Sequence, residues 1–311
     1  MFLEVLRGLF QNLYGTSFAR AVHEKEYQLS LDYQQAINAL DAISNVEPRD
    51  DKPIFIFSAG WRSGSTLLQR LICSSDEVLI WGEIYDRCNI IQNFAKSVTA
   101  FSDSWPNENY IKQPDSISEL SGNWLANLYP HPNHLKASFL NFLDLLLHKP
   151  ALELGAKTWG MKEVRFGLRE ALFLKWLYPN ARFLFIQREL EDAFLSYKKF
   201  CPQKNWYSQW PEQKAFTPFA FARHRSRLLS EFNIAAQETG GLMIEYSDLV
   251  SGDFNFGRLN EYCEINVDQS ILKVKVGSGE EKAEKRDGSN KKGSGLSQFE
   301  RFLLRIGDSP S

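Results

Sequence analysis

Residues Ser58-Ala59-Gly60-Trp61-Arg62-Ser63-Gly64-Ser65-Thr66 join an apolar run, Ile54-Phe55-Ile56-Phe57, to a helical pattern that begins Leu67-Leu68-Gln69-Arg70-Leu71-Ile72. A strand, a small-residue loop and a helix in that order aim successive backbone N–H groups and the positive end of a helix dipole at one point, which makes an anion site. Gly60 and Gly64 allow the backbone to approach a ligand closely. The hydroxyls of Ser63, Ser65 and Thr66 add donors, and Arg62 adds a planar fork suited to phosphate or sulfate oxygens. Taken alone, the loop is also compatible with a Gly/Ser turn that binds nothing.

A metal–triphosphate site requires Gly-x4-Gly-Lys-Ser/Thr, with the Lys on the terminal phosphates and a hydroxyl on magnesium. Here three residues separate Gly60 from Gly64, and Ser65 stands where that Lys belongs. The later run 182–187 ends in Gln187-Arg188 rather than in an acid that could hold magnesium. The loop therefore reads as a phosphate-type site with no metal. A second cluster follows: Arg188, Asp192 and Ser196 are spaced four and four, so a helix starting at Arg188 places all three on one face. Arg188 and Ser196 can then hold a second phosphate, the alternative being a surface ion pair between Arg188 and Asp192.

The two clusters, in this order, resemble the nucleotide-binding signatures of sulfotransferases that use 3′-phosphoadenosine 5′-phosphosulfate (PAPS). The resemblance covers roughly residues 53–263 and is nearest to the carbohydrate, tyrosylprotein and bacterial branch, in which Arg replaces the Lys of the cytosolic type. It implies that Arg62, Ser63, Gly64, Ser65 and Thr66 bind the 5′-phosphosulfate, that Arg188 and Ser196 bind the 3′-phosphate, and that Tyr246 lies beside the nucleotide. It also implies a base at Glu83, which falls 21 residues after Arg62. Ile84 stands where the tyrosylprotein branch has a second acid, and Asp86 is held in reserve. Lys162, in Trp159-Gly160-Met161-Lys162-Glu163, matches a strand-end Lys that reaches the transferred group. With Arg62 it would stabilise the leaving side.

Plain alternatives stand beside these roles: Lys162 as a strand-end lysine, and Glu83 as an acid at a helix N-terminus. His131 and His134 are competing candidates for the base, and their HxxH spacing is a weak metal pattern in a Pro-interrupted loop. His224, within Arg223-His224-Arg225-Ser226-Arg227, reads as part of a solvated basic helix face over 217–238.

The elements that must position these residues alternate between β-type runs at 54–58, 78–81, 157–161, 182–187 and 242–246 and helical patterns. This alternation predicts a P-loop-type three-layer α/β/α fold with a central parallel sheet. A helix over 2–22 and another near 30–45 form an N-terminal helical extension, 1–52, entering the core through the charged segment 47–53. The core spans 53–272, with loop-rich insertions at about 100–135 and 200–218. Residues 273–311 make a flexible basic flap and a C-terminal helix. The flap segment 273–295 has seven Lys or Arg, four acids, five Gly and three Ser among 23 residues, too little apolar surface to offset its ordering entropy. It is either a solvated loop or a cover over an anionic ligand.

The chain has 311 residues, 36 Lys and Arg against 38 Asp and Glu, so no bulk cationic field favours nucleic acid or an anionic membrane. Cys73, Cys88, Cys201 and Cys263 form no CxxC pair, which favours a reducing compartment and a cytoplasmic protein. No apolar run reaches the length of a membrane span, so no integral membrane contact is expected. The expected partner is a small-molecule acceptor, with a homo-oligomer possible through the N-terminal helix. Within the resemblance, the acceptor is a hydroxyl or amine nitrogen of a bacterial natural product. A nucleotide or small-molecule kinase and a non-catalytic nucleotide-binding protein are the alternatives.

Overall fold

The computed structural model describes residues 17–44, 46–47, 49–106, 117–122, 128–204, 217–275, 284–285 and 295–308. Five strands, β1 (Ile54–Ser58), β2 (Val78–Trp81), β3 (Thr158–Glu163), β4 (Arg182–Gln187) and β5 (Leu242–Glu245), form the sheet. They are ordered β2-β3-β1-β4-β5 and every pair is parallel. The predicted P-loop-type α/β/α architecture is thus the observed one. β5 ends at Glu245, one residue short of 246, and β3 runs to Glu163 rather than ending at 161, because the β1 register continues through Ile56↔Lys162 and Phe57↔Glu163. Two charged residues lie inside the sheet as a result.

The helices are α1 (Ser17–Ala42), α2 (Ser65–Ile72), α3 (Ile90–Val98), α4 (Asn133–Leu143), α5 (Lys149–Glu153), α6 (Leu168–Leu177), α7 (Leu190–Lys204), α8 (Pro218–Thr239), α9 (Tyr246–Ser251), α10 (Phe256–Cys263) and α11 (Gln298–Gly307). The strands are apolar on both faces because both faces are covered, as an all-parallel sheet requires. Phe55, Phe57, Trp159, Met161, Phe183 and Phe185 pack into the core shared by α1, α3, α4, α6 and α8. Ile54, Ile56, Ile80, Leu184, Ile186 and Ile244 pack on the opposite side against α2, α9 and α10. A third core, at the carboxyl ends of the strands, gathers Trp61, Val164, Phe194, Tyr197, Phe221 and Leu304. It anchors the loop after β1 to α7, α8 and α11.

The two predicted N-terminal helices meet as one, α1, whose Tyr33, Ala36, Ile37 and Leu40 are buried. Residues 1–16, including most of the predicted helix over 2–22, lie outside the described residues. In the first insertion the described residues form a bridge between Ser102 and Trp105 and a single 3-10 turn, Ile117–Gly122, while Trp124 lies outside them. Trp206, Tyr207 and Trp210 of the second insertion also lie outside them. In the segment 273–295, Val274–Lys275 pairs antiparallel with Glu284–Lys285, and Arg70 on α2 donates to the Val274 carbonyl at 3.2 Å. α11 begins with a capping box, the Ser297 hydroxyl accepting from Glu300 N–H and Glu300 accepting in return from Ser297 N–H.

Candidate active site

The turn after β1 is built from positive φ angles at Gly60 (80°), Arg62 (66°) and Gly64 (96°). Such a run of left-handed residues curls the backbone so that its N–H groups face inward, which is the geometry of an anion cradle. Ser58 Oγ donates to the Gly60 carbonyl and Ser63 Oγ to the Ala59 carbonyl, each at 2.9 Å, so both hydroxyls brace the loop from within. Gly64 is the N-cap of α2 and has no side chain to cap it; Ser65 is buried and Thr66 is exposed at the helix mouth. A methyl group on Gly64 would sit 2.2 Å from the Tyr246 ring, so only glycine fits there.

The second cluster docks on the first. α7 starts at Leu190, two residues later than a shared Arg188–Ser196 helix face requires, and Arg188 sits in the connection after β4. Its guanidinium lies 4.4 Å above the Tyr246 ring and Nη1 is 3.5 Å from the Arg62 carbonyl. Among the described residues it makes no ion pair with Asp192. Arg62 Nε donates to Ser196 Oγ at 3.0 Å, tying the first loop to α7. Arg62, Ser196, Arg188, Tyr246 and Gly64 therefore form one constellation around the carboxyl ends of β1 and β4.

Neighbouring strand ends carry the other two candidates. Lys162 Nζ on β3 lies 2.5 Å from Glu83 Oε1, just after β2. Lys162 is buried and Glu83 mostly so, with side-chain exposures of 7% and 19%. Next along β3, Glu163 is bidentate with Arg165, Oε1 to Nε at 3.1 Å and Oε2 to Nη2 at 2.7 Å. Burial pushes the Glu163 carboxyl up and the nearby Glu83 adds to this, while Arg165 opposes it. Arg165 Nη1 also donates to Asn89 Oδ1 at 2.9 Å, pinning the first turn of α3 over the end of β3. Asp86 falls in the short 3-10 turn Asp86–Cys88.

One histidine departs from its sequence reading. The run 223–227 is a solvated basic face only in part: Arg223 and Arg227 are exposed, but Arg225 is buried, donating to the Arg188 carbonyl at 2.6 Å and pairing with Asp308 at 3.4 Å. His224 packs at a tilt of 40° against Trp61 with ring centroids 5.0 Å apart and borders Gly60. Burial, reinforced by Arg227 and Arg165, pushes its pKa down to about 3, so it is neutral at physiological pH. The 3.6-residue periodicity could have shown this, since Phe221, Ala222, Arg225 and Leu228 share its buried stripe. His131 Nδ1 accepts from Asn133 N–H at 3.3 Å, making the HxxH segment the first turn of α4. Among the described residues no group of His, Cys, Asp and Glu is placed to hold a metal ion.

The cradle and the Lys162–Glu83 pair thus lie side by side at the carboxyl ends of a parallel sheet, the usual place of a ligand site in an open α/β fold. A model of the sulfotransferase family matches residues 53–269, and the chain belongs to that family. None of the curated proteins matches the chain. Among solved structures it is similar to the sulfotransferase domain from the curacin biosynthetic pathway, at 15% identity over 72% of this chain and 78% of that one, TM-score 0.43. It is also similar to the sulfotransferase domain of a Synechococcus olefin synthase, at 14% identity over 73% and 80% of the two chains, TM-score 0.38. The Mycobacterium tuberculosis sulfotransferase STF1 gives 14% identity over 82% and 76%, TM-score 0.38.

Proposed function

We propose that the chain moves a sulfuryl group from PAPS to a hydroxyl or amine nitrogen of a small-molecule acceptor, without a metal. The observation that carries this reading is the convergence of the Gly60–Thr66 cradle, Arg62, Ser196, Arg188 and Tyr246 on one side of the Lys162–Glu83 pair. The donor set fits the group: backbone N–H groups and Arg62 for the phosphosulfate, Arg188 and Ser196 for the 3′-phosphate, and the Tyr246 ring for the nucleotide. Bound PAPS supplies the sulfuryl group, whose bond to phosphate oxygen breaks as a bond to the acceptor atom forms.

Transfer of this kind is catalysed by positioning and by fixed charge aimed where charge develops. Lys162 Nζ and Arg62 hold positive charge on the leaving side. Glu83 Oε1 takes the acceptor proton as that bond forms, and the adjoining Lys162 keeps the carboxylate oriented until then. A sulfuryl group carries less negative charge than a phosphoryl group, so Arg and Lys can stand in for a metal.

The further elements of this reading are a core at 53–272 between an N-terminal helical extension, 1–52, and a flap with a C-terminal helix, 273–311. A cytoplasmic setting, association through the N-terminal helix and tailoring of a bacterial natural product complete it. No helix among the described residues is long and apolar enough to cross a membrane. Isothermal titration with adenosine 3′,5′-bisphosphate and with ATP–magnesium tests the donor. Tight binding of the bisphosphate alone is expected, and tight binding of ATP–magnesium alone would replace the reading with a kinase. Mass spectrometry of a metabolite panel incubated with PAPS, read for the gain of one SO3, tests the acceptor.

A further inference from the structure

Glu83 stands on the connection 82–89 between β2 and α3, and much of that connection faces water: Gly82, Tyr85, Arg87 and Cys88 are exposed. An exposed connection holds a side chain in one place only where something anchors it. Here both of its ends are tied to the end of β3 and the residues just after it. Glu83 meets Lys162 at the near end, and Asn89 Oδ1 accepts from Arg165 Nη1 at 2.9 Å at the far end. The two ties form a clamp with two points. The Arg165 fork is itself fixed, since Nε and Nη2 are held by both oxygens of Glu163, whose backbone pairs in register with Phe57 of β1.

Asn89 is unusual in two ways. It is the N-cap of α3, a position whose Asn ordinarily accepts from an N–H of the first helical turn, yet among the described residues its side chain makes no capping bond. Its backbone is left-handed, φ 48° and ψ 38°, where an N-cap is ordinarily extended. Both departures accompany an amide oxygen placed on Arg165 rather than on the helix. Resting on the sulfotransfer reading above, in which Glu83 takes the acceptor proton, we propose that Asn89 is a positioning residue for Glu83. Its bond to Arg165 closes the clamp and keeps Glu83 Oε1 in register with Lys162 and with the proton it must take. A reacting group displaced by about 1 Å loses on the order of 10²-fold in rate.

The test uses the full-length protein with PAPS and the metabolite panel above, and reads the bisphosphate released. Asn89→Gly keeps the left-handed backbone at no steric cost and removes the side-chain oxygen, so it reads the bond rather than the strain. Its rate at saturating PAPS should fall by about 10- to 100-fold, while affinity for adenosine 3′,5′-bisphosphate, by titration calorimetry, changes less than about twofold. Asn89→Asp, which returns an oxygen to Arg165 and tolerates the same backbone, should stay within about threefold of wild type. In a Glu83→Gln background, Asn89→Gly should lower the remaining rate by less than about twofold, because no base is left to position; a merely structural Asn89 would lose the same factor in both backgrounds. Equal losses in the two backgrounds, a wild-type rate in Asn89→Gly, no rescue by Asn89→Asp, or a matching loss of bisphosphate affinity would each overturn the proposal. An unchanged rate in Glu83→Gln alone strikes the base reading, and a wild type that releases no bisphosphate strikes sulfotransfer itself; either removes the proposal with it.

Discussion

The two halves of the site handle positive charge in opposite ways. Around β4, among the described residues, Arg188 contacts neutral groups, the Arg62 carbonyl and the face of Tyr246. Around β3, Lys162 and Arg165 are buried against the carboxylates of Glu83 and Glu163. A cation held by neutral partners keeps its field and draws an anion. A cation already neutralised adds little to binding, but it fixes a carboxylate where a proton must go. On the proposed reading, affinity for the donor belongs to one half and turnover to the other.

The sharpest break in that division is sought with Glu83→Gln. Turnover should fall by about 10²–10⁴-fold while bisphosphate affinity, by titration calorimetry, changes less than about threefold. Unchanged turnover would remove Glu83 as the base. Arg165→Leu should lower unfolding stability by about 3–5 kcal/mol in urea melts, because it leaves the buried Glu163 carboxyl without its ion-pair partner. An effect near zero would mean that the β3 half is not held by buried pairs.

Arg188→Ala should weaken the bisphosphate by about 10- to 100-fold while leaving kcat at saturating donor within a few-fold, since charge-assisted bonds to an anion are lost but the base is intact. A collapse of kcat instead would merge the two halves into one. The smallest expected effect concerns acid. His224, with a pKa pushed down to about 3, binds fewer protons folded than unfolded between that value and about 6.5, so stability rises with pH across this window and is lost as pH falls through it. From pH 7 to pH 5 its contribution to stability should fall by about 2 kcal/mol, a loss absent in His224→Phe. Equal acid sensitivity of the two proteins in urea melts would place the titrating group elsewhere.

Much of this was legible along the chain. The strand runs 54–58, 78–81 and 182–187 stand where their apolar patterns placed them, because a strand covered on both faces needs only consecutive apolar residues. The cradle was equally local, its glycines and hydroxyls lying within nine consecutive residues, 58–66. Misreadings arose where a residue's meaning depends on what packs over it. Arg188 kept its place near the first loop, but its helix starts two residues later than the four-residue spacing suggested. His224 and Arg225 looked solvated because both are polar in isolation, and Asp308, the partner of Arg225, comes from the far end of the chain.

From residue order alone came the fold class, the anion loop and the likeness to PAPS-using enzymes, since each rests on local backbone preference and short spacings. Folding in three dimensions paired Lys162 with Glu83 across 79 positions, Arg165 with Asn89 across 76 and Arg62 with Ser196 across 134. Burial and long-range pairing are properties of the packed chain, and periodicity in a single sequence does not carry them.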